Sequence, residues 1–270
     1  MLRRTLRITA LVAIAALALA ACGDDKSDSS SGSTTTAKSG ALVICSDIPY
    51  EPMEMEATDT KTPSGYTGFD IDLVQEIATK AGKSLEVKVT PFDGIFAAMD
   101  AGKCNAVVSS VTITDERKKN MDFSEPYFDS NQSLMVLKTN ADKFKTLDDL
   151  AGKTIGVQSG TTGEEYAKDH TPSGATIKAL PGASDLFAAL DAGSIDAILQ
   201  DYPINAYRAT KRDNVVITQK IKTGEQYGMA VKKGDADTLK LLDDGIAAAK
   251  ANGTYDTLYE KYFGEKPSAS

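Results

Sequence analysis

The chain has 270 residues, 38 acidic against 30 basic side chains, and a formal net charge of −8 at pH 7. An acidic chain without a basic stripe is a poor partner for nucleic acid, whose phosphates require clustered lysine and arginine. The sequence holds one histidine, His170, and three cysteines, so we expect no metal site. Nucleophile-elbow and phosphate-loop motifs are missing from the sequence as well, so we expect no cofactor and no catalytic residue.

Residues 1–21 are predicted to be a signal peptide. Three arginines within the first seven residues precede an apolar run that is too short for a membrane span of about 20 residues. Small residues lead into Cys22, and the sequence LAAC resembles the lipobox of bacterial lipoproteins, in which the signal is removed before a cysteine that carries lipid. The alternative is an ordinary secretory signal followed by an incidental cysteine.

Residues 22–40 are predicted to be a lipid anchor and a flexible linker. After Cys22 they are glycine, serine, threonine and charged residues, with Ala37 as the one apolar side chain. Such a segment cannot build a core and behaves as a tether. We therefore expect a folded body from residue 41 to 265, held by a lipid on the extracytoplasmic face of the cell membrane.

The body alternates short apolar runs with helical patterns. Strands are predicted at 41–47, 85–90, 153–159 and 176–180, and helices at 68–82 and from 161 onward. This alternation is typical of parallel sheets with crossover helices. The predicted fold class is therefore α/β.

The chain also contains an internal repeat. Seven of fifteen residues are identical between 96–110 and 187–201, and each copy reads as a helix, a glycine turn and an apolar strand. In open α/β sheets, ligands lie at the carboxyl ends of the strands. The repeat therefore predicts two Rossmann-like lobes, with Ser109 and Ser110 in one facing Gln200 and Asp201 in the other across a cleft.

Two crossings between the lobes are expected. Residues 127–132 and 224–229 are predicted to be the hinge strands, so that lobe 2 comprises residues 133–223. Lobe 1 then comprises residues 41–126 together with 230–265.

Cys45 and Cys104 are expected to be free, buried thiols. Both are predicted on or beside buried strands at different heights, which would separate their Cα atoms beyond the limit of about 7 Å for a disulfide.

The predicted cleft combines an anion site with a cation site. Arg117 lies in the first turn of a predicted helix, where the macrodipole disfavours a cation, so we interpret it as meeting an anion from outside the chain; the alternative is a solvated arginine. Thr161 and Thr162 begin a predicted helix whose first N–H groups suit an anion. The alternative is that the two threonine hydroxyls only cap this helix. Asp201 can hold a cation or be an exposed turn residue. Asp47, after the first strand, adds a second carboxylate, and the combination describes an α-amino acid.

Five segments carry a family resemblance that runs in order over residues 41–264: GFDIDL, SSVTITDERKKNMDFSEPY, IGVQSGTTGEEYAK, DAILQDYPIN and NGTYDTLYEKYFG. They resemble the polar-amino-acid family of extracytoplasmic solute-binding proteins, the capture subunits of ABC importers, and are closest to glutamine-binding members. The resemblance implies a type II periplasmic binding protein-like fold, a free amino acid as ligand and a permease as partner. A monomer is the default expectation for a hinge that must close.

The resemblance also implies roles for individual residues. Arg117, Thr112 and the backbone near Ser110 and Thr162 would hold the α-carboxylate, and Asp201 with the carbonyl near Ser110 would hold the α-ammonium. Tyr50 and Phe92 would enclose the side chain, and Asp47 would reach its polar end. The expected ligand-binding residues are Asp47, Tyr50, Phe92, Ser109, Ser110, Thr112, Arg117, Gln158, Thr161, Thr162 and Asp201.

Two positions depart from the glutamine-binding pattern, which tends to have lysine at Gln158 and histidine at Gln200. Acidic ligands are disfavoured by Asp47, so we expect glutamine, arginine or lysine, in that order. The alternatives are a ligand sensor that acts through a partner and a dehydratase of prephenate-like compounds, although Asp47 and Asp201 serve better as ligand partners than as general acids.

Overall fold

The computed structural model describes residues 40–58 and 62–267. The predicted signal peptide, the predicted lipidation site Cys22 and the predicted linker up to residue 39 lie outside the described residues. Within the described residues, no helix combines the length and the apolar character needed to cross a membrane.

Twelve strands and eight α-helices form within the described residues. In chain order they are β1 (Ala41–Ser46), β2 (Met55–Glu56), β3 (Tyr66–Thr67), α1 (Phe69–Lys80), β4 (Ser84–Val89), α2 (Phe92–Asp100), β5 (Ala106–Val107), α3 (Asp115–Asn120), β6 (Met121–Phe123), β7 (Phe128–Leu137), β8 (Thr154–Gln158), α4 (Thr162–His170), β9 (Thr176–Leu180), α5 (Ala183–Asp191), β10 (Ala197–Asp201), α6 (Tyr202–Lys211), β11 (Val215–Tyr227), β12 (Ala230–Lys232), α7 (Ala236–Ala251) and α8 (Thr254–Phe263).

The two large sheets share one plan. Their strand orders are β4-β1-β5-β12-β6 and β9-β8-β10-β7-β11. In each, the central strand (β5 or β10) pairs in parallel with one neighbour (β1 or β8) and antiparallel with the other (β12 or β7). The repeated segments form the equivalent units α2–β5 and α5–β10, and their glycines Gly102 and Gly193 have φ values of 74° and 67°. The predicted two-lobed α/β fold is confirmed.

Strands β7 and β11 form the long connection between the sheets. They pair antiparallel from Phe128 opposite Tyr227 to Leu137 opposite Val215. Beyond Tyr227 the chain enters β12 and so returns to the first sheet, and β12 pairs with both β5 and β6. The chain therefore passes between the two sheets twice, once in each direction.

Helix α7 packs against α1 on the first sheet. The buried face of α1 includes the residues at positions 71, 73, 74, 77 and 78, which give the segment its helical periodicity. A Cβ added at Gly245 would lie 2.5 Å from Cγ2 of Ile77. Because such a contact is shorter than any side chain tolerates, the close approach of α7 to α1 requires glycine at this position.

An aromatic cluster joins α8 to the start of the connecting strands. The ring of Phe128 stacks on that of Tyr227 at 5.5 Å and lies 5.1 Å from that of Phe263. The ring of Phe69 contacts that of Phe128 edge-on at 5.6 Å. Aromatic pairs of this kind add about 0.5–1.5 kcal/mol each beyond the area they bury, so the first-sheet end of the connection is firmly anchored.

The expectation of free thiols was wrong, since Cys45 and Cys104 form a disulfide with their Cα atoms 5.7 Å apart. Cys45 lies in β1, but β5 begins only at Ala106, so Cys104 lies in the turn that precedes the strand. The side chain of Asn105 accepts the Val43 N–H at 2.9 Å and holds that turn beside β1. The turn, rather than strand register, sets the height of Cys104.

Candidate functional site

The carboxyl ends of β1, β5, β8 and β10 surround one cavity, whose water-accessible volume is about 20 Å³. This volume has room for about one water molecule, so the two sides of the cleft lie close together in this structure. The structure brings all eleven residues of the sequence-based set around this cavity: Asp47, Tyr50, Phe92, Ser109, Ser110, Thr112, Arg117, Gln158, Thr161, Thr162 and Asp201.

Arg117 provides the positive charge of the cavity. Its guanidinium donates to the Thr112 carbonyl at 2.9 Å and, across the cleft, to the Gly160 carbonyl at 3.1 Å. It also lies over the rings of Phe92 and Phe96, at 5.6 and 5.3 Å. A guanidinium has five donors, so this fixed orientation leaves donors for an anion in the cavity.

The short helix α3 does not explain the position of Arg117. It has six residues, Asp115 and Glu116 lie in its first turn, and its N-cap Thr114 accepts the Arg117 N–H at 3.1 Å. Its macrodipole is therefore small and already compensated. Burial lowers the pKa of Arg117, and nearby carboxylates oppose that shift, so the guanidinium keeps its charge at any ordinary pH.

The start of α4 faces Arg117 from the second lobe. The Thr161 hydroxyl accepts the Glu164 N–H at 3.2 Å and donates to the Gln158 carbonyl at 2.8 Å. The Thr161 hydroxyl therefore serves as an N-cap, the simpler of its two interpretations. The Thr162 hydroxyl lies 3.4 Å from that of Thr112, so two hydroxyls from opposite sides of the cleft meet beside the cavity.

Asp201 provides the buried negative charge. Asp201 lies at the end of β10 and is only 6% exposed. The carboxylate accepts hydrogen bonds from Gln132 Nε2 at 2.6 Å and from the Tyr227 hydroxyl. Burial raises the pKa of Asp201, while these hydrogen bonds and the charge of Arg117 act in the opposite direction. A cation placed in the cavity would relieve the cost of burying this carboxylate.

Asp47 and Gln158 join the two lobes beside the cavity, which Tyr50 and Phe92 also line. Gln158 Nε2 donates to Asp47 Oδ2 at 2.6 Å. The Asp47 N–H donates to the Ser109 hydroxyl at 2.9 Å, which fixes the loop after β1. Burial raises the pKa of Asp47 to about 6, although the Gln158 amide partly counters that shift.

Ser110 has an unusual backbone. Its φ of 50° makes it the one non-glycine residue with positive φ in the described part of the chain, a conformation that costs an L-residue roughly 1–2 kcal/mol. The Ser110 N–H donates to Asp70 Oδ2 at 2.7 Å. That N–H therefore does not face an anion in the cavity, and the Ser110 carbonyl is the backbone group left to meet a ligand.

Sequence reasoning missed a polar layer beside the cavity. Glu225 accepts hydrogen bonds from Gln132 Nε2 at 3.0 and 3.2 Å and from the Thr112 hydroxyl at 3.5 Å. Burial, and then the charge of Asp201, raise the pKa of Glu225 to about 7. Glu225 lies in the segment that the sequence suggested as a crossing, but its burial depends on the pairing of two distant strands.

Two further residues differ from expectation. Gln200 does not line the cavity, because its amide donates to Asn205 Oδ1 at 2.9 Å inside the second lobe. Asp70 is completely buried on the apolar face of α1. The sequence shows this carboxylate on the apolar face of the predicted helix, but helical periodicity alone gives it no role.

Comparisons with known proteins give one consistent result. The family described as bacterial extracellular solute-binding proteins, family 3, matches residues 42–265. The L-cystine-binding protein TcyJ of Escherichia coli (strain K12) is 34% identical over 258 residues, covering 94% of this chain and 95% of TcyJ. The ABC transporter glutamine-binding protein GlnH of Bacillus subtilis (strain 168) is 31% identical over 265 residues, covering 94% of this chain and 95% of GlnH.

Solved structures agree with the sequence relatives. An ancestral arginine-binding protein bound to glutamine is 38% identical and superposes with a TM-score of 0.77, covering 83% of this chain and 98% of that one.

Proposed function

Since the chain belongs to the bacterial extracellular solute-binding proteins of family 3, we propose that it captures one polar or basic L-amino acid between its lobes and delivers it to the permease of an ABC importer. The observation that carries this proposal is the pair of opposite charges in one cavity, Arg117 and Asp201. A free α-amino acid presents a carboxylate and an ammonium on the same carbon, and this cavity complements both.

The roles follow from the contacts. Arg117, with the hydroxyls of Thr112 and Thr162, binds the α-carboxylate, and an arginine fork suits a carboxylate bidentately. Asp201 and the Ser110 carbonyl bind the α-ammonium. Ser109 supports Asp47, and Thr161 holds the start of α4 in place, so these two act at the edge of the site.

The charge balance favours a basic side chain. The ligand carboxylate pairs with Arg117 and the ammonium with Asp201, which leaves Asp47, bonded to the neutral amide of Gln158, for the side chain. Tyr50 and Phe92 enclose the aliphatic part of that side chain. These charges support arginine and lysine ahead of glutamine, which the sequence had favoured, and put acidic amino acids last.

Binding and closure are one equilibrium in this proposal. Contacts across the cleft, such as Gln158 to Asp47 and Arg117 to the Gly160 carbonyl, form only with the lobes together. A ligand that touches both lobes therefore stabilises the closed form by its differential affinity. The hinge comprises residues 127–132 and 224–229, with lobe 2 at 133–223 between them.

The closed monomer then docks on the permease. Removal of the signal peptide at residues 1–21 and attachment of lipid to Cys22 would tether the protein to the extracytoplasmic face of the membrane. Residues 23–40 would serve as the linker, and tethering would raise the local concentration near the permease.

Thermal unfolding against the twenty amino acids, one at a time, tests the proposal. A ligand at about one hundred times its Kd adds roughly 2.7 kcal/mol to the free energy of unfolding. We expect a basic amino acid to raise the Tm, Arg117→Ala to abolish the rise, and Arg212→Ala to leave it intact, because Arg212 pairs with Asp191 on the surface of the second lobe. If no amino acid raises the Tm, the proposal fails. Uptake assays then test the sensor alternative, and product analysis with prephenate-like compounds tests the dehydratase alternative.

A further inference from the structure

A buried carboxyl pair lies next to the binding cavity, and the ligand roles above do not use it. Glu54 and Asp70 are both completely buried in the first lobe. Asp70 belongs to the segment GFDIDL, one of the five that carried the family resemblance. Two buried carboxyl groups in one place are costly unless hydrogen bonds compensate, so the pair calls for a role that repays that cost.

Ser110 is held by both carboxyl groups. Asp70 Oδ2 accepts the Ser110 N–H at 2.7 Å, and Glu54 Oε1 accepts the Ser110 hydroxyl at 3.0 Å. The Tyr127 hydroxyl also donates to Asp70 Oδ2, at 2.7 Å. The pair thus holds both the N–H and the hydroxyl of Ser110, in a conformation that a serine does not adopt freely.

Within the described part of the chain, each of the two carboxyl groups has one oxygen atom without a hydrogen-bond donor. Glu54 Oε2 and Asp70 Oδ1 are buried and have no donor among the described residues. The two groups act on each other directly, and burial raises the pKa of both. Because Asp70 receives more donors than Glu54, we infer that Glu54 is the group that holds a proton, which the Asp70 carboxylate would accept as a further hydrogen bond.

The backbones of Glu54 and Asp70 make further contacts beside the site. The Tyr50 N–H donates to the Glu54 carbonyl at 2.8 Å, so Glu54 closes the loop that carries one wall of the cavity. The Asp70 N–H donates to the Met53 carbonyl at 3.1 Å, which fastens the same loop to α1. Through Tyr127, the pair contacts the start of the connecting strands.

We propose that Glu54 and Asp70 are positioning residues that hold Ser110 in its left-handed conformation and thereby aim the Ser110 carbonyl at the α-ammonium of the ligand. This inference rests on the proposed function, and it assigns a role to a pair that does not line the cavity. It predicts that losing the pair weakens recognition of the ammonium selectively, whereas a general loss of folding weakens every ligand equally.

Isothermal titration calorimetry with two probes tests this selectivity: L-arginine and 5-guanidinopentanoic acid, which lacks the α-ammonium. Where the amino-acid screen selects glutamine, the probes are L-glutamine and glutaramic acid. In Asp70→Asn a neutral amide replaces the carboxylate, and Ser110 loses its anionic partner. We expect the Kd for the amino acid to rise at least tenfold, and that for the deamino probe to rise less than threefold. In Glu54→Gln an amide replaces a protonated acid without a change of charge, so both values should change less than threefold.

Two more variants keep the test decisive if Asp70→Asn does not fold. Tyr127→Phe removes a single donor from Asp70 and should raise the Kd for the amino acid three- to tenfold, again selectively. The matched control is Tyr255→Phe, which removes another buried hydroxyl bond, at 2.6 Å to the Tyr127 carbonyl, without contacting the pair. It should change the affinities for both probes equally.

The outcomes separate the two proposals. If the wild-type protein binds no amino acid, the proposed function fails. If it binds one, but the carboxyl variants weaken both probes equally, or Glu54→Gln is as harmful as Asp70→Asn, the positioning role is refuted while the function stands.

Discussion

Asp47 should make the affinity for a basic amino acid depend on pH. Burial raises its pKa to about 6 in the cavity without ligand, and a cationic side chain requires its ionised form. At pH 8 nearly all of Asp47 is ionised, whereas at pH 5 less than about a tenth is, so the affinity for L-arginine should fall about tenfold. L-glutamine should lose less than threefold, because its amide oxygen can accept a hydrogen bond from the neutral acid and its amide N–H can donate one to the ionised acid.

The assay is the ratio of the Kd values of L-arginine and L-glutamine, measured by calorimetry at pH 8 and pH 5. The pKa of Glu225 is also raised, to about 7, and Asp201 is buried. These two groups act on the amino-acid part that both ligands share, so their effects cancel in the ratio. Asp47→Asn is the matched variant and should make the ratio independent of pH. A ratio that does not change in the wild-type protein, or that still changes in Asp47→Asn, would refute the role of Asp47.

Three further predictions concern stability. Replacing Cys45 and Cys104 by serine should lower the free energy of unfolding by about 2–4 kcal/mol, since the disulfide closes a long loop in the unfolded chain; an unchanged denaturation midpoint would argue against the bond. Gly245→Ala should lower the free energy of unfolding by about 1–3 kcal/mol, because the added Cβ overpacks α7 against α1. Gly94→Ala in α2 should be near neutral, because an added Cβ there meets nothing within 4 Å. Equal Tm values for the two variants would contradict the packing argument. The folded-state pKa of Asp47, about 6, lies above its ordinary value of 3.8, so its ionisation weakens the fold as the pH rises from about 4 to 6. Asp47→Asn should therefore raise the Tm of the ligand-free protein at pH 8. A lower Tm would show that the carboxylate stabilises the fold.

The sequence anticipates features that depend on local periodicity. The apolar face of α1 and the repeated helix–strand units are written into contiguous residues, which is why the two sheets could be foreseen. The cavity residues could be foreseen for a related reason: a parallel sheet brings the carboxyl ends of its strands to one edge, so Asp47, Gln158 and Asp201 converge once the strands are recognised.

Other features depend on contacts between distant segments. The Cys45–Cys104 disulfide depends on a turn whose path no propensity specifies. Asp70 is 40 residues from Ser110 and 57 from Tyr127, so its network appears only when α1 packs on the first sheet. Glu225 likewise becomes partly buried only when β11 pairs with β7.

The central claim is that the cavity recognises both charges of one free amino acid, and a comparison of L-arginine with agmatine tests it most directly. Agmatine keeps the ammonium and the guanidinium but lacks the α-carboxylate that Arg117 is proposed to bind. Calorimetry should show L-arginine binding to the wild-type protein at least a hundredfold more tightly than agmatine, and this difference should largely disappear in Arg117→Ala. Equal affinities for the two compounds in the wild-type protein would contradict the account.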